Sequence, residues 1–130
     1  MDREQTGFQV TCRGSGHREN VGSASIEWLA NSELTPGSEM TLGHVVLERD
    51  GSNRQHFHPN CHELVFVVKG TVQHDVGNET VTLPEGSALH ISTKEIHKVR
   101  NIGRGPAELI VVFSSERRET VFTDEDPQLP

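Results

Sequence analysis

Histidines crowd the middle of this sequence at spacings that suit metal binding. Six of the eight histidines lie between positions 56 and 97. His56 and His58 stand two residues apart in a strand-like segment, so both imidazoles project from one face of that strand. A short turn then leads into a second strand, which begins at Glu63. A hairpin of this kind brings a carboxylate back beside two imidazoles, a ligand set that suits Zn, Fe, Mn, Ni or Cu.

A fourth ligand must come from farther along the chain. His97 is the best candidate, because it follows a predicted strand that starts at the turn Pro84-Glu85-Gly86. His62 competes with Glu63, since neighbours on a strand face opposite sides and only one of them can join the cluster. Spacing across a turn leaves that choice open. The alternative to a metal site is a set of polar residues on an exposed face.

Short strands are the elements that must position these residues. Glycine and proline mark frequent turns, and the runs between them are rich in Val, Ile, Leu and Thr. The predicted strands are 41–49, 54–58, 63–69, 71–76, 80–83, 87–92, 98–101 and 107–113, with 21–30 and 8–11 as additional candidates. The middle of the chain shows no helical periodicity long enough for a core helix. The pattern predicts an all-β sandwich or barrel with antiparallel pairing.

The order of these residues resembles the two sequence motifs of the cupin superfamily, which are small β-barrels of jelly-roll type. The first motif reads Gly51-SNRQ-His56-Phe57-His58-PNCH-Glu63-LVFVVK-Gly70. The second reads Gly77-NETVTL-Pro84-Glu85-Gly86-SALHISTKEI-His97-KVR-Asn101. The spacer from Gly51 to His56 is one residue shorter than usual, and the spacer from Gly77 to Pro84 is one residue longer than usual. Both spacers lie in turns, where changes of length are tolerated. The Pro-Gly turn that usually precedes the last histidine is absent.

The resemblance implies a single cupin-type jelly-roll β-barrel over residues 21–113. The flanking segments are predicted as an N-terminal arm over 1–20 and a partly disordered C-terminal arm or tail over 114–130. The resemblance also implies one divalent transition metal ion inside one end of the barrel, held by His56, His58, Glu63 and His97. Three neutral imidazoles and one carboxylate would leave the site electrophilic, with open positions for water, substrate or dioxygen.

Three further residues are candidates for contact with substrate. Arg54 shares strand parity with the first two histidines and would suit an anionic substrate, although a solvated arginine is commoner at a strand start. Gln73 is a weaker candidate of the same kind. His90 would face the pocket and could shuttle protons if its neighbours point outward, and it would be external if they point inward. The other histidines, His17, His44 and His74, fit surface or packing roles.

Composition limits the partners and the location. A length of 130 residues fits one domain, and the formal net charge of -7 without a basic block argues against nucleic acid or an anionic membrane surface. The longest strongly apolar run, Leu64 to Val68, is too short to cross a bilayer. The charged start lacks the apolar stretch of a secretory signal, and two cysteines make no disulfide framework. We therefore predict a cytoplasmic protein.

The strand 63–69 is apolar on both faces, so both faces should be buried. If one set of side chains lines the barrel, the other needs a cover from N-terminal strands or from a second subunit. A homodimer is our expectation, since it is common among the proteins that this sequence resembles.

The predicted function is that of a metal-dependent enzyme acting on a small, oxygen-rich molecule. Oxygenase-type chemistry is narrowly preferred, because three histidines and a glutamate with open positions suit a redox metal. Lewis-acid isomerase, lyase or cyclase chemistry is the alternative. A second alternative is a non-catalytic, metal-containing module that binds a small ligand. The sequence contains no tyrosine, which excludes mechanisms that need a tyrosine acid or radical.

Overall fold

The computed structural model describes residues 7–124, and all regular structure in that span is β-strand. The strands are β1 (His17–Val21), β2 (Ala24–Ala30), β3 (Thr41–Leu47), β4 (His56–Phe57), β5 (Glu63–Lys69), β6 (Val72–Val76), β7 (Glu79–Leu83), β8 (Ala88–Ile91), β9 (His97–Asn101), β10 (Ala107–Phe113) and β11 (Val121–Phe122). The prediction of an all-β fold is confirmed. In the described span no helix is long and apolar enough to cross a membrane.

Two antiparallel sheets make up the barrel. The first sheet has the strand order β1-β2-β3-β10-β5-β8, and the second has the order β11-β4-β9-β6-β7. Neighbours in space are mostly distant in sequence, as the pairing of β3 with β10 and of β4 with β9 shows. This is the jelly-roll arrangement that the sequence motifs imply.

Alternation along the strands places the core between the two sheets. On β10 the residues Leu109 and Val111 are buried, and on β5 Val65 and Val67 are buried in the same way. Val72 on β6 closes the core from the second sheet and is fully buried. Burying one such side chain stabilises the fold by about 1.5–3 kcal/mol, so this inward face fixes the register of each strand.

The N-terminal strands differ from the prediction. The strand predicted at 8–11 is wrong, because these residues form no strand. The single strand predicted at 21–30 is a hairpin, in which Val21 pairs with Ala24. Gly22 makes the tight turn with a φ of 62°, and a Cβ there would lie 2.7 Å from the carbonyl oxygen of Ser52. Strand β1 is a polar edge strand without apolar alternation, so the sequence carries no period-2 signal for it.

The C-terminal segment contacts the end of the barrel that holds the histidines. Strand β11 pairs with β4, with Val121 opposite Phe57 and Phe122 opposite His56. Before β11, the hydroxyl of Thr41 donates to the backbone carbonyl of Ser115 over 2.7 Å. The predicted C-terminal arm therefore has ordered structure as far as residue 124. Residues 1–6 and 125–130, which include the start of the predicted N-terminal arm and the end of the predicted tail, lie outside the described residues.

Candidate metal centre

Four side chains from both sheets converge inside the barrel. His56 on β4 lies directly opposite His97 on β9, so sheet pairing places these two imidazoles side by side. His58 follows the end of β4. Glu63 opens β5 in the other sheet and lies on the same inward face as Val65, so the carboxylate meets the imidazoles across the barrel. Glu63, and not His62, is therefore the residue that joins the cluster.

The cluster is compact and buried. Its ligand atoms all lie within 4.8 Å of one another, and all four residues are buried. The ring centroids of His56 and His97 are 4.2 Å apart, and those of His56 and His58 are 4.8 Å apart. Glu63 Oε1 is 3.0 Å from His97 Nε2 and 3.3 Å from His58 Nε2. One ion placed among these atoms could contact all four side chains.

Backbone carbonyls fix the orientation of each imidazole. Nδ1 of His56 donates to the carbonyl of Arg54 over 2.6 Å, and Nδ1 of His97 donates to that of Glu95 over 2.8 Å. Nδ1 of His58 donates to the carbonyl of Glu119 in the C-terminal segment over 2.9 Å. These bonds hold the proton on Nδ1, which leaves the Nε2 lone pairs free to bind a metal.

Unpartnered polar atoms provide an independent test of whether a metal fits. Within residues 7–124, His58 Nε2, His97 Nε2 and Glu63 Oε1 are buried and lack a partner with hydrogen-bond geometry, despite their short separations. Buried polar atoms without partners cost free energy, so they mark a place where a binding partner belongs. Imidazole nitrogen and carboxylate oxygen are ligands for divalent transition metals. The residues fit such an ion.

The electrostatics of the metal-free cluster follow from burial and the single carboxylate. Burial, and after it the neighbouring His97, lowers the pKa of His56 to about 4. Burial alone would lower the pKa of His97, but the Glu63 carboxylate more than offsets this and the pKa is raised. Burial opposes ionisation of Glu63, yet the adjacent imidazoles hold its pKa well below the ordinary range. Glu63 is thus ionised and able to neutralise part of the charge of a cation.

A cavity of about 180 Å³ adjoins the cluster inside the barrel. All four candidate ligands line it, and most of the rest of its wall is aliphatic or aromatic. The aromatic part comes from Trp28, Phe113 and Phe122. Trp28 sits close over β3, where a Cβ on Gly43 would lie 2.6 Å from its ring. A mostly apolar chamber beside a polar cluster is typical of a small-molecule site.

Arg118 forms the cationic part of the cavity wall. Its guanidinium lies 4.1 Å from the ring centroid of Trp28 and donates to Glu19 Oε1 over 3.1 Å. The same carboxylate oxygen accepts a 2.6 Å hydrogen bond from the indole Nε1–H of Trp28. The Arg118 side chain is 19% exposed, so it lies between cavity and solvent. Ion pairing and cation–π contact tie the C-terminal segment to β1 and β2 at this edge.

The three predicted substrate-contact residues do not belong to the cavity wall. Arg54 precedes β4 rather than lying on it, so strand parity does not apply; its guanidinium contacts Asp124 and the ring of Phe122. Gln73 accepts a hydrogen bond from Arg100. His90 is exposed because its neighbour Ile91 points inward, and its ring stacks on His62.

His74, Trp28 and Arg118 are three of the cavity residues that sequence reasoning missed. His74 was predicted to have a surface or packing role, but it is 2% exposed and lines the cavity. Strand alternation could have indicated that His74 points inward, because residues two apart on a strand share a face. Val72, an apolar residue two positions earlier on β6, is buried on that same face. Nothing local to Arg118 indicated its place, because it lies in a charge-rich segment after the last long strand.

A jelly-roll barrel with a buried cluster of three histidines and a glutamate defines a class of metal-binding barrels, and the comparisons with known proteins agree. Residues 43–113 match the family model of the cupin domain. The chain belongs to the cupin family.

Two curated relatives match most of this chain but differ in how much of their own length is matched. Tetracenomycin polyketide synthase protein TcmJ of Streptomyces glaucescens is 28% identical over 113 residues, covering 85% of this chain and 74% of the relative. Germin-like protein 1-1 of Oryza sativa subsp. japonica is 28% identical over 124 residues, covering 87% of this chain but only 56% of the relative. A solved structure of oxalate oxidase superposes with a TM-score of 0.78 at 19% identity, covering 100% of this chain and 74% of that chain. This last likeness concerns the fold.

Proposed function

We propose that this protein is a metal-dependent enzyme that acts on a small, oxygen-bearing molecule held in the barrel cavity. One observation carries the proposal: the four candidate ligands line the cavity, and three of their atoms are buried without hydrogen-bond partners. A purely structural metal site would be closed by protein ligands, whereas a catalytic one keeps an open side. With these four residues as ligands, a divalent metal that takes five or six ligands would keep open positions, and the cavity is where a substrate would reach them.

The residues of the chain prepare this site before substrate arrives. Nδ1–H bonds to backbone carbonyls hold His56, His58 and His97 in place, so binding needs no rearrangement of the rings. Glu63 supplies the single negative charge of the set. A bound divalent metal would supply Lewis acidity and, if redox-active, reaction with dioxygen. The apolar wall excludes water and lowers the local dielectric, which strengthens polar interactions inside.

The cavity favours a substrate with a ring. An apolar protein cavity of roughly 150 Å³ accommodates benzene, and this one has about 180 Å³ with three aromatic residues in its wall. A compound with one ring or two small fused rings and oxygen substituents therefore suits the site better than a small dianion. Of the cavity-lining residues, Arg118 is the one arginine, and Glu19 already pairs with it.

Oxygenase-type chemistry remains our preferred reaction, since the donor set suits iron or another redox metal. Lewis-acid cyclase chemistry is the second candidate, favoured by the likeness to a polyketide synthase protein and by the aromatic wall. Non-catalytic binding of a small ligand is the third. Metal identity separates the first two, because zinc supports Lewis-acid chemistry but no redox step.

Metal analysis and an oxygen-uptake assay test the proposal. We expect about one divalent metal ion per chain after purification and, after reconstitution with Fe²⁺, uptake of oxygen with a panel of catechols and cyclic 1,3-diketones. The matched Zn²⁺ sample should take up no oxygen, and mass spectrometry of its products would reveal cyclisation or isomerisation. If the panel binds but neither sample converts any compound, the protein is a binding module and the enzymatic proposal is wrong.

The outer face of β5 supports the predicted homodimer. Leu64, Phe66 and Val68 are 51%, 44% and 46% exposed, in contrast to the buried residues between them. Ile110 and Val112 on β10 lie opposite Phe66 and Leu64 and extend the apolar surface. Monomers rarely leave a continuous apolar surface of this kind in water. We propose that a second copy of the chain packs against it around a twofold axis.

A charge at the centre of this face should separate the subunits. Phe66→Glu is expected to convert the dimer to a monomer in size-exclusion chromatography with light scattering, because two carboxylates would be buried in each interface. Val81→Glu is the matched control: Val81 is 38% exposed on β7 of the other sheet, and this variant should stay dimeric. A monomeric wild-type protein, or a dimeric Phe66→Glu variant, would contradict the proposal.

A further inference from the structure

One buried polar atom remains without a partner after the metal centre is accounted for. Within the described residues, four buried side-chain atoms have no hydrogen-bond partner, and three of them belong to the candidate metal ligands. The fourth is Nδ1 of His74. The side chain is 2% exposed, so solvent outside the barrel does not reach it. An unpaired imidazole nitrogen at such a depth calls for a partner inside the barrel.

His74 is placed beside the cluster but not in it. Strand β6 presents it next to Val99 of β9, two residues along that strand from His97. The ring centroids of His74 and His97 are 6.1 Å apart. No His74 atom belongs to the group of ligand atoms that lie within 4.8 Å of one another. His74 does line the cavity, so a molecule there can touch it while also reaching the metal centre.

We propose that His74 is a substrate-contacting residue whose imidazole forms a hydrogen bond with a hydroxyl group of the molecule in the cavity. This rests on the proposed function, since it assumes that another oxygen of the same molecule faces the metal centre. A neutral imidazole has one donor and one acceptor nitrogen, and a hydroxyl can satisfy either of them. Most of the rest of the wall is apolar, so this bond would contribute strongly to which way round the ring sits.

The contact predicts a preference for an additional hydroxyl on a ring. The probes are catechol, pyrogallol and 1,2,4-trihydroxybenzene, which share two adjacent hydroxyls and differ in the third. Binding is measured by titration calorimetry to protein loaded with Zn²⁺, which avoids oxidation of the probes because zinc supports no redox step. For wild type we expect at least one triol to bind about tenfold more tightly than catechol, the effect of one well-formed hydrogen bond in a dry site.

Two variants and a control isolate the contribution of His74. His74→Leu keeps a similar volume without nitrogen atoms, and the triol preference should fall below about twofold. His74→Asn returns a polar atom near the Nδ1 position and should restore part of the preference for the triol. His44→Leu changes another buried histidine, one that bonds Glu108 and does not line the cavity, and should keep the preference. The nitrogen NMR signal of His74 Nδ1 in wild type should shift when the triol binds.

The outcomes separate this inference from the proposed function. Zinc content near one per chain in all four proteins shows that the metal centre is intact, so a loss of preference in His74→Leu is then due to the missing contact. An unchanged preference in His74→Leu would overturn the inference and leave the metal centre standing. The inference would also be overturned if wild type showed no triol preference and the Nδ1 signal did not move when the triol was added. That result would indicate that His74 binds an ordered water molecule. Absence of zinc from wild type would overturn both.

Discussion

Replacing His97 with alanine is expected to abolish metal binding. The change removes the imidazole that lies directly opposite His56 and takes away the nitrogen 3.0 Å from Glu63 Oε1. Loss of a residue that merely supports a ligand costs about 10–100-fold in metal affinity, so loss of the ligand itself should cost at least about 100-fold. Metal analysis after dialysis should show a fall from about one ion per chain to less than about 0.1.

A second histidine provides the control for this variant. His90→Ala removes an exposed imidazole that stacks on His62 and does not line the cavity, so its metal content should equal that of wild type. Circular dichroism of both variants would show whether the barrel is intact. Full metal content in a folded His97→Ala variant would rule out the proposed ligand set.

Protons compete with the metal for His97, so the metal affinity of this site should depend on pH. In the metal-free protein the Glu63 carboxylate raises the pKa of His97, in spite of burial. Below that pKa the ring carries a proton on Nε2 that the metal must displace, so the apparent affinity falls as the pH decreases from about 8 to about 6. In Glu63→Gln the raising effect is lost, so binding should depend less steeply on pH, while the loss of the charge weakens binding at about pH 8. An equally steep pH dependence in both proteins would contradict this coupling.

Replacing Asn101 with alanine is expected to cause the largest loss of stability for a residue outside the core. Asn101 is 2% exposed, and its Nδ2 donates to the carbonyl oxygens of Leu47, Glu48 and Gly105 over 2.9, 3.2 and 2.8 Å. Its Oδ1 accepts a 2.9 Å bond from the backbone N–H of Gly103. One side chain thus ties the end of β9 to the end of β3 and to the turn before β10.

Four backbone groups lose a partner in this variant, and the carbonyl of Leu47 is the one that belongs to a buried residue. We expect the free energy of unfolding to fall by about 2–4 kcal/mol, and the melting temperature by about 10 °C or more. Asn101→Asp should be no better, because a carboxylate cannot donate to the carbonyls. Asn20→Ala, at an exposed position on β1, should change stability by less than about 0.5 kcal/mol. A drop of less than about 3 °C for Asn101→Ala would show that the carbonyls find other partners.

The ligand hairpin was predictable because its geometry is local. Two histidines two residues apart in an extended segment share a face, so strand parity links His56 and His58. The short turn after them returns the chain, which brings the start of β5 near the pair. Even there the choice between His62 and Glu63 needed the tertiary structure. The burial of Val65 and Val67 shows which face of β5 points inward, and Glu63 lies on that face.

The sequence by itself determined the strand pattern of the middle of the chain, the all-β class and three candidate histidine ligands, because alternation and turn residues are written along the chain. The resemblance of the motifs implied Glu63 as the fourth ligand. Tertiary structure alone decided which face of each strand meets the cavity. It placed His74 inside and His90 outside, and it brought Arg118 of the C-terminal segment to Trp28 and Glu19. The physical reason is that parity relates neighbours to one another, whereas inside and outside are set by the sheet that packs across the barrel.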